Sequence, residues 1–140
     1  MNGDLTINGV DAFERYGLNL EDGALSTLMT PAPLKDFIES ISRLKHGKTV
    51  IPKNPKYDSR EITLPFHIVA STKDEFFEKY QKFCSEVLAN GKFEIETRYQ
   101  PGVVYRLVYL NCTQFRQFQQ EMAVFSLKVS EPDPTDRDKE

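Results

Sequence analysis

Residues 60–109 read REITLPFHIVASTKDEFFEKYQKFCSEVLANGKFEIETRYQPGVVYRLVY, and this stretch decides the fold. Ile62, Leu64, Phe66 and Ile68 alternate with Glu61, Thr63, Pro65 and His67, the period of a half-buried strand. Ser71 and Thr72 stop it. Thr72 and Glu75 have capping-box spacing: the hydroxyl takes an orphan N–H, and the carboxylate reaches back. Phe76, Phe77, Tyr80, Phe83, Cys84, Val87 and Leu88 then form one apolar stripe at helical spacing. Asn90-Gly91 ends the helix. Phe93, Ile95 and Tyr99 open the next strand, and Pro101-Gly102 turns the chain. Val103 to Leu110 is apolar on both faces, as a central strand is. The stretch predicts one helix packed on an antiparallel sheet.

Toward the C-terminus, Asn111 to Gln120 is polar with two aromatics, which fits a bulged strand or a crossing connection. Ala123, Phe125, Leu127 and Val129 alternate with polar or smaller residues and predict a last strand. The expectation is one β-rich domain over 1–130 and a charged, disordered tail over 131–140.

Toward the N-terminus, Thr49 to Ser59 is rich in turn formers and carries Lys53 and Lys56, so it reads as an exposed loop or the end of a hairpin. Residues 34–44 fit two patterns. Leu34, Phe37, Ile38 and Ile41 suit a helix; Phe37, Glu39, Ile41 and Arg43 suit an edge strand. The expectation is the extended form. Pro31 and Pro33 forbid regular structure just before it. Leu25 to Thr30 is expected to be a strand, and Val10 to Leu20 irregular or weakly extended. Leu5-Thr6-Ile7 is a short strand ended by Asn8-Gly9.

Composition excludes several function classes. The 140 residues carry a net charge of −3, against the basic face that general nucleic-acid binding requires. No apolar run reaches the length of a membrane span, and the first residues lack the pattern of a signal peptide. Two cysteines are too few for a disulfide scaffold, so synthesis in a reducing cytoplasm is expected.

Charge is unevenly placed. Lys35 to Arg60 holds seven Lys or Arg against three Asp or Glu. Lys45, His46, Lys48, Lys53 and Lys56 make a basic loop with Tyr57 as its sole nearby aromatic, which is poor support for base stacking.

Candidate chemistry is sparse. Cys84 and His67 form a conceivable nucleophile and base, but Cys84 lies on the apolar stripe, where cysteine acts as a small buried hydrophobe. His67 falls on the polar face of its strand, where a solvated or interface role is the simpler reading. His46, His67, Cys84 and Cys112 are singletons without metal-ligand spacing. Glu94 and Glu96 share the polar face of a strand, and a solvated face explains them better than a glycosidase pair. No P-loop, GxGxxG, GxSxG or EF-hand pattern occurs.

Four stretches together resemble one family. They are Ile7-Asn8-Gly9-Val10-Asp11 with Tyr16-Gly17; Arg43 to Lys48; Arg60 to Phe66 with the helix Glu75 to Leu88; and Tyr105-Arg106-Leu107 with Phe125 to Pro134. Their order and spacing, more than any one motif, resemble the N-terminal domain of siphophage distal tail proteins and related prophage tail components. The resemblance implies a non-enzymatic part with a β-sandwich-like core, a flanking helix and an extended hairpin. It implies hexameric rings joining the tail tube to the baseplate hub or tail tip. Many members also carry a C-terminal carbohydrate-binding-like domain. The sequence stops at Glu140 without one, so a connector role is expected over receptor contact.

The reading is therefore an α+β fold, mainly antiparallel, sandwich-like or a partly closed sheet, with a principal helix at about 73–89. The expected function is a ring-forming tail connector located in the virion tail and made in the host cytoplasm. Its expected partners are further copies of the chain, the tail tube and tail-tip proteins, with no nucleic acid, membrane insertion, cofactor, metal or catalytic residue. Phe37, Lys45, His46, Lys48, Lys53 and Lys56 are the expected interface. The competing readings are a monomeric protein-binding adaptor and a small hydrolase.

Overall fold

A computed structural model describes residues 3–35, 38–41, 48–51, 56–118 and 120–139. Its spine is three long antiparallel strands. Strand β6 (Arg60–Val69) pairs along its whole length with β9 (Met122–Glu131), and β9 pairs with β8 (Tyr105–Phe118). Beyond β8 lie β7 (Lys92–Thr97), β1 (Leu5–Ile7) and β2 (Val10–Asp11); beyond β6 lies β3 (Leu18–Leu20). The order is β2-β1-β7-β8-β9-β6-β3, which makes β8 the central strand. A separate ribbon consists of β4 (Ile38–Ile41) and β5 (Lys48–Ile51), with Ile38 opposite Ile51 and Ile41 opposite Lys48.

The sheet is strongly curled. Seven flat strands at roughly 4.8 Å spacing would hold their outer edges about 29 Å apart. Yet Asp11 ends β2 and Leu18 begins β3, joined through the five-residue helix α1 (Ala12–Tyr16). A helix rises only about 1.5 Å per residue, so the edges must bend toward each other. The sheet stays open, with β2 and β3 as its outer strands, and is mainly antiparallel with few helices, as expected.

The principal helix α3 (Lys73–Phe83) fills the concave side, followed by a π-helical turn at Cys84–Leu88. The Thr72 hydroxyl accepts the Glu75 N–H at 3.1 Å. Glu75 reaches back one residue further than a capping box requires, to the Ser71 N–H at 3.4 Å. Phe76, Phe83 and Val87 are buried against Leu64, Phe66, Ile68, Phe93, Ile95, Phe125 and Leu127. Phe83 and Phe66 each lie within 6 Å of the Phe125 ring centroid, at 5.8 and 5.9 Å. Such aromatic pairs add about 0.5–1.5 kcal/mol each beyond their buried area.

Several expectations need correction. Residues 24–29 form a helix, α2 (Ala24–Met29), not a strand; Ala24 and Leu28 are one helical turn apart and both fully buried. The stretch 10–20 is ordered. The Asp11 side chain caps α1 by accepting the Phe13 N–H, and Gly17 closes it at φ 65°. A Cβ at Gly17 would strike the Val69 carbonyl oxygen, so both conformation and space demand glycine there.

Residues 131–139 do not form a disordered tail. The Val104 N–H donates to the Arg137 carbonyl at 2.8 Å, and Val103 bridges Asp138. His67 is buried rather than solvated, its Nδ1 2.8 Å from Glu21 Oε1. Cys84 is half-buried rather than fully buried, since Phe83 and Val87 take the inward positions beside it.

Candidate functional site

The β4–β5 ribbon is rooted where Leu34 bridges Tyr57. The Lys35 N–H donates to the Lys56 carbonyl at 2.8 Å, and the Asp58 N–H to the Pro33 carbonyl at 2.7 Å. Beyond this root, β4 and β5 pair with each other, and among the described residues neither packs extensively on another element. Met29, Leu34 and Tyr57 are large apolar side chains left exposed around the root.

The root is fixed from below by Arg60, the first residue of β6. Its guanidinium donates to three carbonyls at the end of α2: Leu28 at 2.8 Å, Thr30 at 2.7 Å and Thr27 at 3.4 Å. A helix terminus leaves such carbonyls short of partners, although Thr27 also accepts the Thr30 N–H at 3.3 Å. One side chain therefore ties the strand leaving the ribbon to the segment entering it.

Arg60 is itself held by Glu131, its register partner on β9, through a bond from Nε to Oε1. Arg137 closes the other side of the same carboxylate at 2.7 and 2.8 Å. Both guanidinium groups lie over the Tyr105 ring, at 5.7 and 4.8 Å from its centroid. Glu131 is 0% exposed and Arg60 5%. Hydrogen bonding to Glu131 pushes the Arg137 guanidinium further above its ordinary range.

A second feature lies at the opposite end of β8. Strand β7 covers only Tyr105 to Val108. From Leu110 to Gln117 every residue is exposed, including Leu110 and Phe115. The Tyr80 ring of α3 stands 5.6 Å from Phe115. Burial pushes the Tyr80 hydroxyl up to about 12, with the adjacent Cys84 adding to the shift. Register shifts between Tyr109 and Asn111, and between Cys112 and Gln114, confirm the bulged-strand alternative.

A family model described as phage tail protein RIFT-related domain matches residues 13–130. The chain belongs to this family. Among solved structures, that of the SPP1 Dit (gp 19.1) protein matches with a TM-score of 0.64 at 10% identity. That protein is presented as a paradigm of the hub adsorption apparatus in phages infecting Gram-positive bacteria. The match covers 94% of this chain and 50% of that one, so this phage tail domain spans about half its length. No curated protein sequence matches.

In this phage tail domain the sequence-predicted interface residues fall unevenly. Phe37, Lys45, His46 and Lys53 lie outside the described residues. Lys48 begins β5, and Lys56 is exposed at the root. His67 and Cys84 do not join Glu94 and Glu96, which line one shallow pocket with Arg106 and Lys139. Glu96 instead accepts the Gly102 N–H at 2.9 Å and pairs with Lys139 at 3.1 Å, and these contacts hold its carboxyl below the usual range. Among the described residues no three His, Cys, Asp or Glu side chains converge, and no helix is long and apolar enough to cross a membrane.

Sequence reasoning missed Arg60, Glu131 and Arg137. Their signal was faint: a charged residue at each end of two otherwise apolar alternations.

Proposed function

We propose that this chain is a structural connector of the phage tail. Copies associate into a ring, six being the expected number, that joins the tail tube to the tail tip or baseplate in the virion. The role is mechanical rather than catalytic. The observation that carries this reading is the β4–β5 ribbon, which lies in a basic segment of a phage tail family domain, is rooted beside Arg60 and, among the described residues, has no extensive packing partner outside itself. A two-stranded ribbon alone is marginal in water. A partner surface would supply further packing.

A closed ring needs two different surfaces per subunit, because a heterologous contact repeated by rotation closes on itself. The segment that holds the ribbon is proposed as one of them, with Phe37, Lys45, His46, Lys48, Lys53 and Lys56 as contact residues.

Light scattering across a concentration series tests this. A discrete species near six times the 16.1 kDa chain is expected. Deleting residues 48–56 is expected to leave the circular dichroism of the body intact while abolishing that species. A monomer at every concentration favours a binding adaptor and overturns the ring.

A further inference from the structure

We infer that residues 132–139 act as a strap whose docking sets how firmly the ribbon root is held, with the Glu131 carboxylate as the relay between the two. The inference deepens the interface reading by naming what controls the proposed contact segment, and its test is read within a single chain.

The carboxylate is shared unequally. Arg137 takes both of its oxygens side-on, Nε to Oε2 at 2.8 Å and Nη2 to Oε1 at 2.7 Å. Arg60 reaches it with Nε alone, on Oε1. In a planar guanidinium Nη2 lies on the same edge as Nε, so Arg60 could form the same side-on pair if Oε2 were free. Its Nη2 goes instead to the Leu28 carbonyl at 2.8 Å, and its Nη1 to the Thr30 carbonyl at 2.7 Å. Arg60 therefore grips the end of α2 with a donor that the carboxylate has no room for while Arg137 is docked.

Withdrawal of Arg137 reverses the preference. Oε2 then lacks a donor in a residue that is 0% exposed, and a buried acceptor left unpaired is costly. Turning the Arg60 Nη2 onto Oε2 completes the bidentate pair, the stronger arrangement, and takes that donor off the Leu28 carbonyl. The Tyr105 ring beneath both guanidinium groups gives Arg60 a flat face to turn against. Arg60 thus has two discrete arrangements, one gripping α2 and one gripping Glu131, as coupling between distant segments requires.

The strap is suited to leave. Within 132–139 Pro134 alone is buried, so little apolar area holds it down. Its other ties lie near the surface. Arg106 reaches the Asp136 carboxylate at 3.2 Å and the Asp138 carbonyl at 2.9 Å, Lys139 pairs with Glu96 at 3.1 Å, and the Val104 N–H meets the Arg137 carbonyl. Exposed ion pairs of this kind contribute little. At the receiving end, the root bonds lie close by in sequence: Lys35 is five residues after Thr30, and Asp58 two before Arg60.

Hydrogen exchange at the Lys35 and Asp58 amides, whose bonds close the root, reads the coupling in the full chain kept dilute enough to stay unassembled. Arg106 bonds to the strap and to Glu94, so Arg106→Gln loosens the strap and leaves the Glu131 site itself unaltered. It should speed exchange at both amides. Arg137→Met should speed it more, by about tenfold, the effect of losing one charged hydrogen bond. The Gly17 and Gly91 amides, which close turns elsewhere, should keep their rates. In an Arg60→Lys background the root should exchange fast already and ignore Arg106→Gln, because the exchanging fork is gone. Root amides indifferent to both Arg106→Gln and Arg137→Met overturn the inference, and so does a rise shared equally by Gly17 and Gly91. An equal response to Arg106→Gln with Arg60 or Lys at position 60 overturns the relay as well. None of these results touches the ring reading, which stands or falls on light scattering.

Discussion

Glu131 shows how much one side chain can organise. Its carboxylate is fully buried and serves two guanidinium groups, one on β6 and one in the C-terminal segment. Ion pairs in such a site gain little over apolar residues, but breaking one leaves a buried charge without compensation. Glu131→Gln keeps the shape and removes the charge, stranding Arg60. The expected loss is about 3–5 kcal/mol in urea denaturation. Arg137→Met should cost less, about 1.5–3 kcal/mol, because the Arg137 side chain is 28% exposed and water shares its role. A reversed order of the two variants would falsify this account. Glu86 makes a different prediction. It accepts from Arg15 at 2.7 and 2.9 Å and from Tyr16 at 2.8 Å, fastening α1 to the π-helical turn. Hydrogen bonds from Arg15, then Tyr16, hold its carboxyl below the ordinary value of 4.5. A depressed folded-state pKa means stability that is present above 4.5 and lost as pH falls through the lower folded value. Glu86→Gln should therefore flatten the acid limb of the stability profile while leaving its shape near neutral pH unchanged. An unaltered acid limb would remove Glu86 as its source.

Elements with local punctuation formed as the sequence implied. The Thr72 cap is a clear instance: Thr72→Ala should cost about 1 kcal/mol, since the Glu75 N–H loses its partner, and Thr72→Ser should restore most of it. Equal stability of all three chains would mean solvent caps the helix just as well. The long alternations of β6 and β9 were equally legible, because burial on one face writes itself into a period-2 pattern, and the apolar run from Val103 to Leu110 marked the central strand. Helix α2 was not legible. At six residues it is too short for a 3.6-residue period to stand out, and its C-terminal carbonyls are satisfied by Arg60, some thirty residues away. The order in residues 131–139 was hidden for the same reason. Arg137 finds Glu131 locally, but the charge matters only because β6 brings Arg60 to the other side. For the candidate site, the basic, turn-rich character of 45–59 is what motivates the proposed interface. Where β7 stops along β8 did not announce itself, because strand register is a property of the folded sheet.

At the scale of the whole molecule, the decisive property is the separation of charge. A near-neutral chain of net −3 is divided into a +4 segment at residues 35–56 and a −7 remainder. The proposed head-to-tail association sets the first against the second. Attraction between exposed charges is screened over about 8 Å at physiological salt and about 3 Å at 1 M. The proposed ring should therefore assemble fastest at low salt, with its association rate falling steeply as NaCl rises, while its dissociation rate changes less because short-range contacts hold a formed interface. The double substitution Lys48→Glu and Lys56→Glu lowers the segment from +4 to 0 and should slow association at low salt toward the rate of the unmodified chain at about 1 M, with little further salt dependence. Stopped-flow light scattering on both chains measures this. If association of the unmodified chain is indifferent to salt, charge separation does not guide the encounter, and whatever assembly occurs must arise from apolar contacts such as the exposed Leu110 and Phe115.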